Sequence, residues 1–100
     1  MQIFLEVHTQ SRASNSYPER AVEYDIACWH PDSGWTPNTR YPGNAIGTDI
    51  NAIQRNVFPS ALYGTRMRLI IRVYHGGRPG LRWDLYGQRK HRNVHFFFGL

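Results

Sequence analysis

The sequence predicts an α+β fold, in which a mostly antiparallel sheet of about five strands carries one short helix on one face. Three observations lead to this prediction. Apolar and polar residues alternate in five segments, which is the period of half-buried strands. One segment between the second and third of these has helical spacing instead, which gives the order β-β-α-β-β-β. The chain has 100 residues, a length that favours one domain spanning residues 1–100.

The first two strands are predicted at residues 2–9 and 21–29. In the first, Ile3, Leu5 and Val7 lie on one side and Phe4, Glu6 and His8 on the other. In the second, the same alternation separates Val22, Tyr24, Ile26 and Cys28 from Glu23, Asp25 and Trp29. We expect the two strands to pair as an antiparallel hairpin, so that one outer face carries Glu6, His8, Glu23 and Asp25.

The middle of the chain is predicted to be irregular and then helical. Residues 30–47 contain three prolines and three glycines, which favour a long loop. Position 48 or 49 offers an N-cap, and Pro59 ends the segment that follows. Three aliphatic residues recur there at helical spacing: Ile50, Ile53 and Val57. Residues 49–58 are therefore predicted to form a short amphipathic helix.

Three more strands are predicted at residues 65–75, 81–86 and 93–98, separated by turns rich in glycine and polar residues. If these strands are neighbours, their shared outer face combines arginines with aromatic rings and a histidine. Its members are Arg66, Arg68, Arg72, Tyr74, Arg82, Tyr86, His95 and Phe97. Such a mixture is typical of surfaces that bind single-stranded RNA, where rings stack on bases and guanidinium groups hold phosphates.

The distribution of charge also indicates a polyanionic partner. Residues 1–50 carry three arginines and six acidic residues, a net charge of −3, whereas residues 51–100 carry nine basic residues and one acidic residue, a net charge of +8. A basic turn before the last strand adds Arg89, Lys90 and Arg92 to the predicted binding set. The sequence therefore predicts a small basic protein that binds nucleic acid, RNA rather than DNA.

A sharper hypothesis is metal-independent cleavage of RNA. That reaction needs a base for the 2′-hydroxyl, an acid for the leaving oxygen and a cation for the phosphate. Glu23 or Glu6 is the predicted base, and His95 or His91 is the predicted acid. Arg68 and Arg72 would hold the phosphate. In these residue types the chain resembles small bacterial ribonucleases and toxin ribonucleases, which implies the same reaction.

The alternative hypothesis is a small inhibitor, of the kind carried by phages and mobile elements, that acts through a protein partner. The aromatic segment from Trp29 to Tyr41 would be its contact surface. Cys28 is predicted to be a buried thiol, and we predict neither a metal nor another cofactor. The single cysteine and the absence of a long apolar run favour a cytoplasmic protein without a membrane segment.

Overall fold

The computed structural model describes residues 2–12, 19–46, 49–76, 80–89 and 92–98. Every regular element in these ranges is a strand, so the prediction of an α+β fold is wrong: no helix forms in the described residues. The strands are β1 (Gln2–Gln10), β2 (Arg20–His30), β3 (Gly34–Trp35), β4 (Thr39–Pro42), β5 (Gln54–Gly64), β6 (Arg66–His75), β7 (Arg82–Arg89) and β8 (Arg92–Phe98).

The strands form two antiparallel sheets. The first sheet has the order β5-β1-β7-β8. In the second sheet β2 is central and pairs along most of its length with β6. Its other edge is shared by β4, opposite residues 23–26, and the short β3, opposite residues 29–30. The described part of the chain is therefore an all-β structure with two sheets.

The two sheets bury one hydrophobic core between them. The first sheet contributes Phe4, Val7, Phe58 and Leu85, and the second contributes Tyr24, Ile26, Cys28 and Tyr41. Burial raises the pKa of Tyr24 to about 12, and its hydroxyl accepts a hydrogen bond from Asn56 Nδ2 at 2.8 Å. Burial also raises the pKa of the Cys28 thiol, which lies in the core as predicted. Each sheet is left with an outer face toward solvent.

The predicted helix at residues 49–58 is wrong, because residues 54–58 belong to β5 and residues 49–53 form no regular element. Ile53 and Val57 are more than half exposed, whereas Phe58 is buried against the second sheet. Residues 58–61 stand opposite Leu5 alone, in a bulge between the pairs Glu6–Val57 and Phe4–Leu62. Pro59 is tolerated in this bulge of an edge strand, where a missing N–H costs little.

The same bulge corrects the predicted faces of β1. Phe4 is buried together with Val7 and Thr9, although alternation had placed Phe4 outward with Glu6 and His8. The extra residue at the bulge changes which side of the sheet the earlier residues face. Glu6 and His8 are only partly buried and lie on the outer face as predicted.

The predicted hairpin of the first two strands is also wrong, since β1 pairs with β5 and β7 whereas β2 pairs with β3, β4 and β6. The predicted loop at residues 30–47 contains β3 and β4 instead. Pro31 follows His30 in a tight turn, in which Ser33 N–H donates to His30 O at 3.3 Å, and Gly34 has a φ of 77°. A proline at this turn position followed by a left-handed glycine is typical of a three-residue hairpin loop.

Of the last three predicted strands only two are neighbours: β7 pairs with β8, whereas β6 lies in the other sheet because the chain changes sheets between β5 and β6. Thr65 N–H donates to Trp29 O at 2.9 Å at this corner. A Cβ on Gly64 would lie 2.3 Å from the same carbonyl oxygen, so the close approach requires glycine there. As a result β6 joins β2 in the second sheet, while β7 and β8 belong to the first.

Candidate nucleic-acid interface

The outer face of the second sheet is a row of arginines and tryptophans, which we call the arginine–tryptophan face. Its position follows from the strand register, since residues paired across antiparallel strands project to the same side. Trp29 pairs with Trp35 on one edge and with Arg66 on the other. Further along, Ala27 pairs with Arg68 and Asp25 pairs with Arg40. The face is made up of Trp29, Trp35, Arg40, Arg66, Arg68, Ile70, Arg72, Glu23 and Asp25.

Two arginines lie over the two tryptophan rings. The guanidinium carbon of Arg68 is 4.2 Å from the ring centroid of Trp35, and that of Arg66 is 5.0 Å from the ring centroid of Trp29. Both arginines are exposed, and Trp35 keeps 40% of its surface accessible. These cation–π contacts restrict two long, flexible side chains on the outer face of the sheet.

The other two arginines are held by one carboxylate. Asp25 has a side chain that is only 6% exposed. Its Oδ1 accepts from Arg40 Nε at 2.5 Å, and its Oδ2 accepts from Arg72 Nε at 2.6 Å. The hydrogen bond from Arg40, followed by that from Arg72, holds the pKa of Asp25 below its usual value. Because both bonds use Nε, the carboxylate orients the two guanidinium groups while leaving the terminal nitrogens of Arg72 to other acceptors.

The charges on this face do not cancel. Four arginines stand against Asp25 and Glu23, whose Oε2 lies 3.4 Å from Arg40 Nη1, so the count is four minus two, or +2. The guanidinium groups of Arg40 and Arg72 are 50% and 41% exposed as side chains. The face therefore presents a net positive charge to solvent beside two aromatic rings.

The structure brings together only part of the predicted binding set. Arg66, Arg68 and Arg72 lie on this face, and Tyr74 is half exposed near the end of β6. The remaining described members belong to the first sheet, on the other side of the core: Arg82, Tyr86 and Arg89 on β7, and Arg92 and Phe97 on β8. Lys90 lies outside the described residues.

The predicted catalytic residues are divided between the two sheets. Glu23 lies on β2 beside Arg40, whereas Glu6 lies on β1 and His95 is the register partner of Tyr86 on β7. Neither Glu6 nor His95 is on the sheet that carries Arg68 and Arg72. His91 lies outside the described residues. The proposed combination of base, acid and phosphate-binding arginines is therefore not assembled on one face.

Sequence reasoning missed Arg40 as a member of the site and gave Trp35 to a loop. Both residues belong to strands that pair with β2, and the Pro31 to Gly34 turn is the signal that could have revealed them. It also missed Arg55, which is paired with His8 across β1 and β5. That pairing depends on the register of distant strands, for which the sequence contains no local signal.

The outer face of the first sheet holds a second cluster of ionisable residues, which we call the Glu6–His8 face. His8 Nε2 lies 2.6 Å from Glu6 Oε1. Arg55 donates to both carboxylate oxygens of Glu6, from Nε at 3.0 Å and from Nη2 at 2.9 Å. The bond from Arg55, and then that from His8, lowers the pKa of Glu6 despite the opposing effect of burial. The Tyr86 ring lies 4.3 Å from the His8 ring, centroid to centroid.

Comparison with known proteins gives no relative for either face. The sequence matches no protein-family model, and searches of curated proteins and of solved structures found none that is similar. Within the described ranges, no helix is long and apolar enough to cross a membrane. Nor does the described part of the chain contain a group of three potential metal ligands.

Proposed function

We propose that the protein binds single-stranded RNA in the cytoplasm through the arginine–tryptophan face. The observation that carries this proposal is the pairing of Arg68 with Trp35 and of Arg66 with Trp29 on one exposed sheet face with a net charge of +2. Arginines supply bonds to phosphate, and the neighbouring rings supply stacking surface for bases. Neither type of contact requires a particular base sequence.

The arrangement favours a single strand over a duplex. Stacking on Trp29 or Trp35 needs a base whose face is accessible, and in a duplex the faces of the bases are covered by their neighbours. A sheet face also allows successive nucleotides to lie along β2 and β6 without entering a groove. Asp25 contributes indirectly by holding Arg40 and Arg72 in place, so that less side-chain entropy is lost when phosphate binds.

The proposal is tested by fluorescence anisotropy with a labelled single-stranded RNA of mixed sequence, titrated at several salt concentrations. Single strands give a slope of log affinity against log salt of about −0.7 per neutralised phosphate, so four arginines predict about −3. The triple variant Arg66→Gln, Arg68→Gln, Arg72→Gln should lose about two units of that slope. Duplex RNA should bind more weakly, and single-stranded DNA of the same sequence tests whether the ribose contributes. No binding at low salt would contradict the proposal.

A second candidate function is a complex with another protein, and the exposed Trp35 carries it. This ring lies on β3 at the edge of the second sheet, where an aromatic side chain can anchor a partner. Tyr41 ends the predicted contact segment, but it is buried in the core and is therefore not an anchor. A pull-down from nuclease-treated lysate separates the candidates: one retained protein, lost on Trp35→Ala, favours the complex, whereas loss of all captured material favours RNA.

A further inference from the structure

We propose that His8, oriented by Glu6, is a general base that removes the 2′-hydroxyl proton of RNA bound to this protein. The inference rests on the proposed RNA binding but concerns the opposite outer face of the molecule. It assigns to the Glu6–His8 face the strand cleavage that the sequence had predicted from a different set of residues. Three features of the cluster support it: the orientation of the imidazole, the charge of the carboxylate and a depression beside the ring.

The first feature is the orientation of the imidazole. Glu6 accepts the bond from His8 Nε2, which leaves Nδ1 as the ring atom that can take up a proton. The Tyr86 ring packs against the imidazole from the neighbouring strand. A histidine whose second nitrogen is bonded to a carboxylate and whose ring is held by packing is the arrangement used to position a general base.

The second feature is the ionisation of the Glu6 carboxylate. Glu6 is bonded by both Arg55 and His8, and its side chain is only 18% exposed. These bonds keep Glu6 ionised over the pH range in which histidine changes charge, since they hold its pKa below the ordinary value. Arg55 thereby acts as a positioning residue, because it fixes the carboxylate that in turn fixes His8.

The third feature is a small depression beside the imidazole. His8 lies in the wall of a shallow depression that is also lined by Gln10, Ile53, Arg82, Asp84 and Tyr86. The guanidinium of Arg82 is held at this depression by bonds to the carbonyl oxygens of Ser11 and Ile50, at 2.9 and 3.2 Å. It provides a positive charge in a depression that also contains the carboxylate-bearing Asp84, the register partner of His8.

The reaction balances with RNA and water. His8 Nδ1 takes the proton of the 2′-hydroxyl, and the 2′-oxygen forms a bond to the adjacent phosphorus. The bond between phosphorus and the 5′-oxygen breaks, its electron pair goes to that oxygen, and solvent water supplies the proton that the oxygen takes up. The products are a 2′,3′-cyclic phosphate and a 5′-hydroxyl, and the proton held by His8 returns to solvent.

A single RNA strand can reach both outer faces by passing around the edge formed by β4 and β5. These strands adjoin each other there, since Asn56 Nδ2 of β5 donates to Pro42 O of β4 at 2.7 Å. Arg40 and Arg55 lie on the two sides of this edge with half or more of their side chains exposed. RNA held on the arginine–tryptophan face can therefore pass around this edge toward His8, beside two exposed arginines that are each paired with carboxylates.

The test incubates the full chain with end-labelled single-stranded RNA in excess chelator, and measures binding of the same RNA by anisotropy in parallel. His8→Asn should lower the cleavage rate on the order of 10²-fold, the usual contribution of a general base, while affinity for RNA is retained. Glu6→Gln should lower the rate less. His75→Asn is the matched control, because His75 is an exposed histidine of β6, and its rate should stay at the wild-type level. RNA with 2′-O-methyl groups should bind without being cleaved.

The outcomes separate this inference from the proposed function. RNA that binds but stays intact from pH 5 to pH 8, a range of about one and a half units on each side of an ordinary histidine pKa, overturns the role of His8 and leaves RNA binding standing. Cleavage that survives His8→Asn also overturns it. RNA that neither binds nor is cleaved overturns both. If His8→Asn fails to fold, NMR of the wild-type imidazole nitrogens decides: the proposal requires the proton on Nε2, and a proton on Nδ1 at neutral pH contradicts it.

Discussion

The two outer faces use the same kinds of charged group in different proportions. On the second sheet one buried carboxylate, Asp25, is shared by Arg40 and Arg72, and two further arginines lie on tryptophan rings. On the first sheet one arginine, Arg55, is bonded by both nitrogens to Glu6, which also contacts His8. In the first arrangement positive charge remains available to a partner. In the second, Glu6 neutralises Arg55 and orients the imidazole of His8.

The difference shows that an arginine count alone does not locate a phosphate-binding surface. What matters is how many carboxylates each arginine binds. It also matters whether a carboxylate accepts from Nε alone or from Nε and a terminal nitrogen together. Arg72 retains its terminal nitrogens beside Asp25, but Arg55 spends both Nε and Nη2 on Glu6. Three substitutions or conditions test this contrast.

The largest difference is expected when one arginine is removed from each face in turn and the affinity for RNA is compared. Arg68→Gln should weaken RNA affinity about 10- to 100-fold, because a charge-assisted bond to phosphate contributes about 1.5–3 kcal/mol. Arg55→Gln removes the same charge from a residue already neutralised by Glu6, so affinity should change less than about threefold. Anisotropy titrations of both variants at one salt concentration give the comparison. Equal losses would show that only total charge matters.

A smaller effect is expected from the aromatic ring. Trp35→Ala should weaken RNA affinity about 5- to 10-fold, the lower end of the range for a base stacked on an aromatic side chain. Trp35→Phe should restore most of that loss, because a phenyl ring still stacks. Quenching of tryptophan fluorescence on RNA binding should fall in both variants. An unchanged affinity in Trp35→Ala would place the bound bases elsewhere.

The smallest effect is expected on stability as a function of pH. Asp25 and Glu6 have pKa values lowered by folding, so their contribution is present above the unfolded carboxyl pKa of about 4 and is lost as the pH falls through the folded values. The melting temperature should fall by a few degrees more on acidification in the wild type than in Asp25→Asn or Glu6→Gln. Thermal melts at pH 6 and pH 3 measure this. Variants that lose as much as the wild type would show that neither ion pair stabilises the fold.

The sequence predicted local alternation well and the neighbours of each strand poorly. Tyr24, Ile26 and Cys28 are in the core, and Arg66, Arg68 and Arg72 lie outward on one strand, because alternation within a strand is set by the chain itself. The partners of β6 were not predictable in the same way. They depend on the sheet change at Gly64, where a close approach to a carbonyl oxygen 35 positions earlier decides the topology.

The error at residues 49–58 has a similar cause. Three aliphatic residues at helical spacing fit a helix, but only Val57 belongs to the edge strand that forms, in which Phe58 is buried and the bulge opposite Leu5 absorbs Pro59. Short apolar patterns do not distinguish the two, and burial of the aromatic ring against a distant sheet decides between them. The missed members of the candidate site, Arg40 and Trp35, follow from the same limit, since the prolines and glycines of residues 30–47 predict a loop but do not exclude short strands.

The position of β6 has a consequence for the behaviour of the protein at high concentration. Among the described residues β6 pairs on one side only, with β2, so it presents a ten-residue edge with backbone groups available to another strand. Long edges of this kind promote aggregation unless they carry charge. Two molecules aligned antiparallel along this edge would bring arginines of like charge together, which opposes the contact. The arginines that we propose for RNA thus also protect the protein from edge-to-edge association, and their replacement by apolar residues should lower its solubility.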